Sequence, residues 1–347
     1  MKKNHLAAIG KILVVRLSSI GDIILTTPLL RSLRNAYPEA HITYLTKKPF
    51  EELLSGSPHI DELITFESGE GLKGLKKIKH HLRRQRYDLY LDIHKNWRSR
   101  YLRIGLGARK ITSYRKLIFR RTMLVWFKIN LYTSIKPVYE RYFDAVKDLG
   151  IHYDGRGTEI QVPAEKSEKV RTMLSDAGYT FDTPLVILCP SATYFNKRWK
   201  PEGFVETAQQ LIREKSAYVV VHGGKEDIEL CDHIASSIGR NAVSMAGQLS
   251  LSGSAALLKY STLVIANDSG LLHLAQSQKR PVIGIYGATT RELGYFPIDQ
   301  DSTVIETDLS CRPCTHNGLD KCPKEHFRCM NDIPAFKVIE AALHYLP

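Results

Sequence analysis

Along the chain, short runs of consecutive apolar residues alternate with stretches in which apolar residues recur every three or four positions. The run 11–17 (KILVVRL) leads into Ser18-Ser19-Ile20-Gly21-Asp22 and then into Ile24, Leu25, Leu29, Leu30 and Leu33. That pattern predicts a strand, a tight loop and a helix. Residues 41–45, 62–66 and 88–93 read as further strands separated by helical patterns, the signature of a parallel sheet with helices on both faces. Around residues 155–164 the pattern loosens into Gly, Pro and charge. It then resumes: residues 185–189, 217–222, 263–266 and 282–286 are almost wholly apolar, as strands buried on both faces are. The predicted fold class is α/β, with two Rossmann-like doubly wound domains, 1–160 and 161–332, and a ligand cleft between the carboxyl ends of the two sheets.

Composition agrees with this picture. The 347 residues suit two domains, and 43% hydrophobic with 24% charged residues is ordinary for a soluble globular protein. No apolar stretch reaches the roughly 18 residues of a membrane span; the most apolar segment, 123–131, is interrupted by Lys128. Lys2 and Lys3 resemble the basic start of a signal peptide, but the apolar run 12–17 is short, contains Arg16 and is followed by no small-residue cleavage site, so a cytoplasmic location is expected.

Charge changes the picture more. The net charge is +13, yet residues 71–139 carry 19 Lys and Arg against only Asp88 and Asp92, a local +17 that leaves −4 for the remainder. This predicts one basic face on one domain rather than a general nucleic-acid coat, and no nucleic-acid partner is expected. Residues 73–86 read equally well as a solvated lysine-rich helix. In residues 115–142, by contrast, Arg115, Lys116, Arg120, Arg121 and Lys128 alternate with Leu117, Ile118, Phe119, Leu124, Val125, Trp126 and Phe127, the composition of a segment that lies on anionic lipid.

One loop in the first half of the chain and four in the second carry candidate chemistry at strand ends. Asp22, with Ser18, Ser19 and Gly21 in the turn before it, reads either as a helix N-cap or as an ionised carboxylate able to take a hydroxyl proton. In 267–273 (NDSGLLH), Asp268 and Ser269 stand at capping positions, Gly270 leaves backbone N–H groups open to an anion, and His273 lies one turn further on; a simple capped helix and a phosphate site both fit. Residues 190–199 (PSATYFNKRW) offer the Ser191 and Thr193 hydroxyls with Lys197 and Arg198, either a surface loop or a device for neutralising a diphosphate leaving group. Glu226, in Gly223-Gly224-Lys225-Glu226, and the glycines of 284–289 complete the set. GxxxxGK[ST] is absent, which excludes a P-loop NTPase, and no GxGxxG follows a strand, which disfavours an NAD-dependent enzyme. Cys311, Cys314, Cys322 and Cys329 form C-x2-C-x7-C-x6-C, read as a structural metal site or as packed reduced thiols, with His316 and His326 as further possible ligands. Cys189 and Cys231 are expected in the core or on a helix.

Residues 11–28 (KILVVRLSSIGDIILTTP), Lys197-Arg198-Trp199, 267–275 (NDSGLLHLA) and 281–287 (PVIGIYG), in that order, resemble the glycosyltransferase family 9 enzymes, ADP-heptose:lipopolysaccharide heptosyltransferases of Gram-negative bacteria. The resemblance implies a GT-B fold and a final helix, 333–347, crossing back to the first domain. It further implies inverting transfer of heptose from ADP-heptose to an anionic glycolipid, Kdo-lipid A or its heptosylated form, by an enzyme peripheral on the cytoplasmic face of the inner membrane. Asp22 then resembles the general base and Lys197 the cation on the diphosphate. Thr193 resembles its hydroxyl neighbour, and Glu226 the acid near the ribose. Asp268, Ser269, Gly270 and His273 resemble the loop around the donor's diphosphate and sugar. No catalytic metal or other cofactor is implied, so any metal on the cysteines would be structural. The rival readings are a nucleotide-sugar epimerase or hydrolase of the same fold, and a nucleic-acid-binding protein using the basic segment, which would leave the four loops idle.

Overall fold

β-Branched and leucine-rich runs form the strands wherever helices can cover both faces. The computed structural model describes residues 9–297 and 301–347, so Lys2 and Lys3 lie outside the described residues. The chain divides into two compact units, Met1–Lys116 with Val138–Gln161, and Leu117–Pro137 with Val162–Pro347.

In the first unit, β1 (Lys11–Val15), β2 (His41–Lys47), β3 (Glu62–Phe66), β4 (Leu89–Asp92) and β5 (Lys110–Ser113) make a wholly parallel sheet in the order β3-β2-β1-β4-β5. Val15 pairs with Leu45 on one side and Asp92 on the other. Ile12 to Val15 are fully buried because β1 is central. The order reverses between β1 and β4, the position at which open α/β sheets commonly bind ligands beyond the carboxyl ends of their strands. The returning segment Val138–Gln161 is held by Arg31, which pairs with Asp154 at 2.6 Å and Glu159 at 2.9 Å.

The second unit has β6 (Leu185–Cys189), β7 (Tyr218–Val221), β8 (Ala242–Ser244), β9 (Leu263–Asn267), β10 (Val282–Tyr286) and β11 (Ser302–Glu306), again all parallel, in the order β11-β10-β9-β6-β7-β8. Its reversal lies between β6 and β9, where Cys189 pairs with Ala266. Trp199, Phe204, Leu211, Ile265 and Ile283 are buried in one core with Val338 and Ala342 of the last helix.

Two further segments belong to the second unit. The last helix, Ala335–Tyr345, packs on the helix Pro201–Lys215 and shares the second unit's core, because its apolar stripe finds Phe204 and Ala208 there. Leu117–Pro137, expected within the first domain, belongs to the second unit, to which Lys128 Nζ ties it by donating to Pro313 O at 2.6 Å. The basic stretch is therefore divided, with 15 of its cations up to Lys116 and Arg120, Arg121, Lys128 and Lys136 in the second unit. Among the described residues no helix is long and apolar enough to cross a membrane.

Candidate active site

Both clusters of candidate residues lie at the reversals of the two sheets. In the first unit the loop after β1 turns into a short helix, Ile20–Ile24, whose N-cap is Ser19 rather than Asp22. Asp22 is the third helical residue, and its Oδ2 accepts from the Ser19 amide at 3.3 Å and the Ser19 hydroxyl at 3.0 Å. Its Oδ1 meets Arg16 Nη2 at 2.6 Å, with the Asp22 side chain 15% exposed. Burial raises the carboxyl's pKa, but the Arg16 charge and the Ser19 donors outweigh it and hold Asp22 below the ordinary carboxylate range. Arg16 also donates to Ser18 O and Ile93 O, both at 2.8 Å, so one buried guanidinium fixes the Ser18–Asp22 turn against the end of β4. Gly21 is buried, Ser18 half-buried and Ser19 exposed.

Two residues here escape the sequence reading. Arg16 looks like a mere interruption of an apolar run; its signal is a cation directly after a central strand and six residues before a carboxylate. His94 follows β4, its turn fixed by Asp92, whose Oδ1 accepts the His94 and Lys95 amides at 3.2 and 2.6 Å. Burial first, then the charges of Arg16, Lys116 and Lys47, push the imidazole down to about 3 against the opposing pull of Asp22. It is neutral at physiological pH.

In the second unit, Asn267 at the end of β9 is fully buried and clips the loop after β6: its Oδ1 accepts from the Trp199 amide at 3.1 Å and its Nδ2 donates to Pro190 O at 2.6 Å. This clip brings Lys197 onto Asp268. Their Nζ and Oδ2 are 2.7 Å apart, the side chains 14% and 6% exposed, and Thr289 Oγ1 donates to the same oxygen at 2.8 Å. Asp268 therefore braces Lys197 instead of capping the helix Gly270–Ser277, whose N-cap is Ser269. The Ser269 Oγ, Thr290 Oγ1 and Asn196 Nδ2 atoms are buried without a hydrogen-bond partner, one on each loop after β9, β10 and β6. Buried polar atoms are normally paired, so the unpaired Ser269 Oγ at the helix start leaves a hydroxyl open to a polar ligand.

The remaining candidates are less closely joined. Ser191 is buried and Thr193 exposed on the loop after β6. His273 is buried, with Nδ1 3.2 Å from Gln276 Oε1 on its own helix. Glu226 is exposed in the turn Lys225–Asp227, and its neighbour Asp227 takes the Gly224 amide at 2.9 Å. Arg312, unforeseen from the sequence, donates to Gly287 O at 2.5 Å, Thr289 O at 2.8 Å and Glu306 Oε2 at 2.7 Å, stapling the loop after β10.

The cysteines do not support the metal reading. Among the described residues no group of three or more His, Cys, Asp or Glu side chains is arranged to hold a metal ion. Cys314 Sγ lies 3.9 Å from Ala288 O and Cys311 Sγ 4.0 Å from His326 Nε2. Burial raises the Cys314 thiol and pushes the Cys329 thiol up to about 12. Cys189 and Cys231 are buried in the second unit.

The sequence profile of glycosyltransferase family 9 (heptosyltransferase) matches residues 75–323. The chain belongs to glycosyltransferase family 9. It is 27% identical over 293 residues to lipopolysaccharide heptosyltransferase 2 of Salmonella typhimurium, covering 81% of this chain and 83% of that one. It is 28% identical over 340 residues to lipopolysaccharide heptosyltransferase 3 of Escherichia coli K12, covering 94% and 95%. Among solved structures, a family 9 glycosyltransferase from Veillonella parvula matches with a TM-score of 0.83 at 24% identity over 98% of each chain. The E. coli ADP-heptose lipopolysaccharide heptosyltransferase II matches with 0.72 at 24% identity over 96% of this chain and 98% of that one. These likenesses establish the GT-B fold, whose two Rossmann-like domains correspond to the two parallel-sheet units here. The family 9 member is thus a glycosyltransferase, and its candidate groups are a carboxylate after β1 and a braced lysine beside a helix start after β9.

Proposed function

We propose that this glycosyltransferase moves heptose from ADP-heptose to a hydroxyl of the lipopolysaccharide inner core, with Kdo-lipid A or heptosyl-Kdo-lipid A as acceptor. The names of its relatives support the sugar and the acceptor class. The observation that carries the mechanism is the Arg16–Asp22 pair, which keeps Asp22 ionised and hence acceptor-only.

The displacement is inverting and takes one step. Asp22 accepts the proton of the acceptor hydroxyl as that oxygen attacks the anomeric carbon, and the bond from that carbon to the diphosphate breaks. The pair of electrons leaves with ADP, whose growing charge is met by Lys197 and the free N–H groups at the start of Gly270–Ser277. Pairing with Lys197 neutralises Asp268, which would otherwise repel the diphosphate. His273, Ser191, Thr193 and Glu226 are assigned to donor binding, and Ser18, Ser19 and Gly21 to shaping the turn that presents Asp22. No cofactor enters the step. An acceptor of this kind is anchored in lipid, so the enzyme works at the cytoplasmic face of the inner membrane in peripheral contact with it.

Incubating the protein with ADP-heptose and truncated core glycolipids, and weighing the products, tests this reading. Addition of one heptose to the glycolipid is expected; ADP release without sugar on the acceptor would overturn it in favour of a hydrolase. Asp22→Ala is expected to lower kcat roughly 10²–10⁴-fold with donor affinity nearly unchanged. Near-normal turnover by that variant would remove Asp22 from its role.

A further inference from the structure

The helix Ile118–Phe127 is inside out. A surface helix ordinarily buries its apolar stripe and shows polar residues to water. Here Leu124 and Val125 are buried, yet the outward face is also apolar: Phe119 is 70% exposed, Trp126 78% and Phe127 63%, with Ile118 beside them. The loop that follows adds exposed Ile129, Leu131 and Ile135. These seven are nearly half of the fifteen large apolar side chains that the described residues expose, gathered within eighteen positions. A concentration of this kind marks an interaction surface.

Charge selects the occupant. Residues 117–137 contain no acidic side chain, and the half-buried Arg120 and Arg121 flank the outward apolar face. An acid-free, aromatic-rich face with arginines at its margin suits the boundary between anionic headgroups and acyl chains: the aromatic rings enter the apolar zone while the guanidiniums stay with phosphates. Lys128 holds the element to its unit, donating to Val125 O at 2.8 Å and Pro313 O at 2.6 Å.

We propose that Ile118–Phe127 and the loop after it insert into the surface of an anionic membrane, and that this anchor belongs to the second unit, which carries the Lys197–Asp268 group. This rests on the reading of a lipid-borne acceptor and deepens it by naming the surface that meets the lipid.

The test uses the full-length Trp97→Phe protein, in which Trp126 is the exposed tryptophan and Trp199 is buried. With vesicles of phosphatidylethanolamine and phosphatidylglycerol (3:1), Trp126 emission should shift to the blue and be quenched by brominated acyl chains. Phe119→Ser/Trp126→Ser, made in the wild-type chain, should lower vesicle partitioning in sedimentation by about tenfold or more. Arg120→Gln/Arg121→Gln should weaken binding to these vesicles and leave the weaker binding to neutral phosphatidylcholine unchanged. Turnover of a deacylated, water-soluble acceptor should be normal in both variants. Absence of the blue shift, full vesicle binding by the serine variant, or a lipid-free dimer that buries Trp126 would each overturn the anchor. Vesicle binding together with failure to transfer heptose to any acceptor would sustain the anchor and overturn the proposed activity instead.

Discussion

Arg16 shows how a single side chain can set the chemistry of another. Asp22 is pulled in two directions, upward by burial and downward by Arg16 and Ser19, and the downward pull prevails. Its contribution to stability is therefore present above the ordinary carboxylate value of 3.8 and lost as pH falls through the lower folded value. Arg16→Met leaves burial unopposed except by Ser19. The acid limb of kcat/KM should then move toward neutral pH, and the stability that ionised Asp22 contributes above pH 3.8 should shrink. An unmoved acid limb would show that Arg16 does not set the state of Asp22; Arg16→Lys should restore the limb in part. Lys197 poses the converse problem, because its partner cannot be left alone. Lys197→Met strands the buried Asp268 carboxylate, and such a loss costs about 3–5 kcal/mol. Adding Asp268→Asn removes the stranded charge, so the double variant should recover much of the stability in thermal unfolding while remaining deficient in turnover. Recovery of both would make the pair purely structural.

At the level of strands and helices, what the sequence reveals depends on burial. The central strands were legible because both faces are covered: residues 185–189 and 282–286 coincide with β6 and β10; the edge strand β3, though mostly half-buried, was legible at 62–66 from its run Leu63–Phe66. β5, β8 and β11 were not foreseen, and all three are edge strands whose residues are mostly half-buried, so their sequences lack a continuous apolar run. The loops after β1, β6 and β9 were legible by their Gly, Ser and Asp content. The clip that joins two of them was not, since the contacts of Asn267 with Pro190 and Trp199 span 77 and 68 positions. Gly203 tests this joint. A Cβ there would lie 2.3 Å from Trp199 Cζ2, and the ring cannot retreat freely because Nε1 donates to Ile333 O and the ring packs edge-on against Phe204. Gly203→Ala should cost about 1–3 kcal/mol and, by shifting the segment that carries Lys197, raise the donor KM more than it lowers kcat. A variant as stable as wild type with unaltered KM would show that the loop yields without consequence.

For the chain as a whole, local patterns located the sheets but not the path between them. The composition shift at 155–164 lies beside the last passage, between Gln161 and Val162, yet the excursion Leu117–Pro137 left no mark on the alternation of strands and helices. Its assignment to the second unit rests on partners remote in sequence, Pro313 for Lys128 and Glu292 for Asn130. This is also why one basic stretch serves two bodies: the charge is continuous in sequence, while the packing that allots it is not. The second unit is consequently incomplete as residues 162–347 alone. That fragment retains all six strands of its sheet and should fold, but it lacks residues 117–137, whose Leu124 and Val125 are buried in the whole chain. A peptide of residues 117–137 added in trans should bind the folded fragment and raise its Tm in a concentration-dependent manner, as any ligand of the native state does. Leu124→Asp in the peptide should abolish the shift, because a carboxylate cannot enter an apolar site without a partner. Phe119→Ser in the peptide should leave it intact, since that side chain faces outward. Equal shifts from the wild-type and Leu124→Asp peptides would mean that nonspecific adhesion, rather than the packing of Leu124, holds the excursion to its unit.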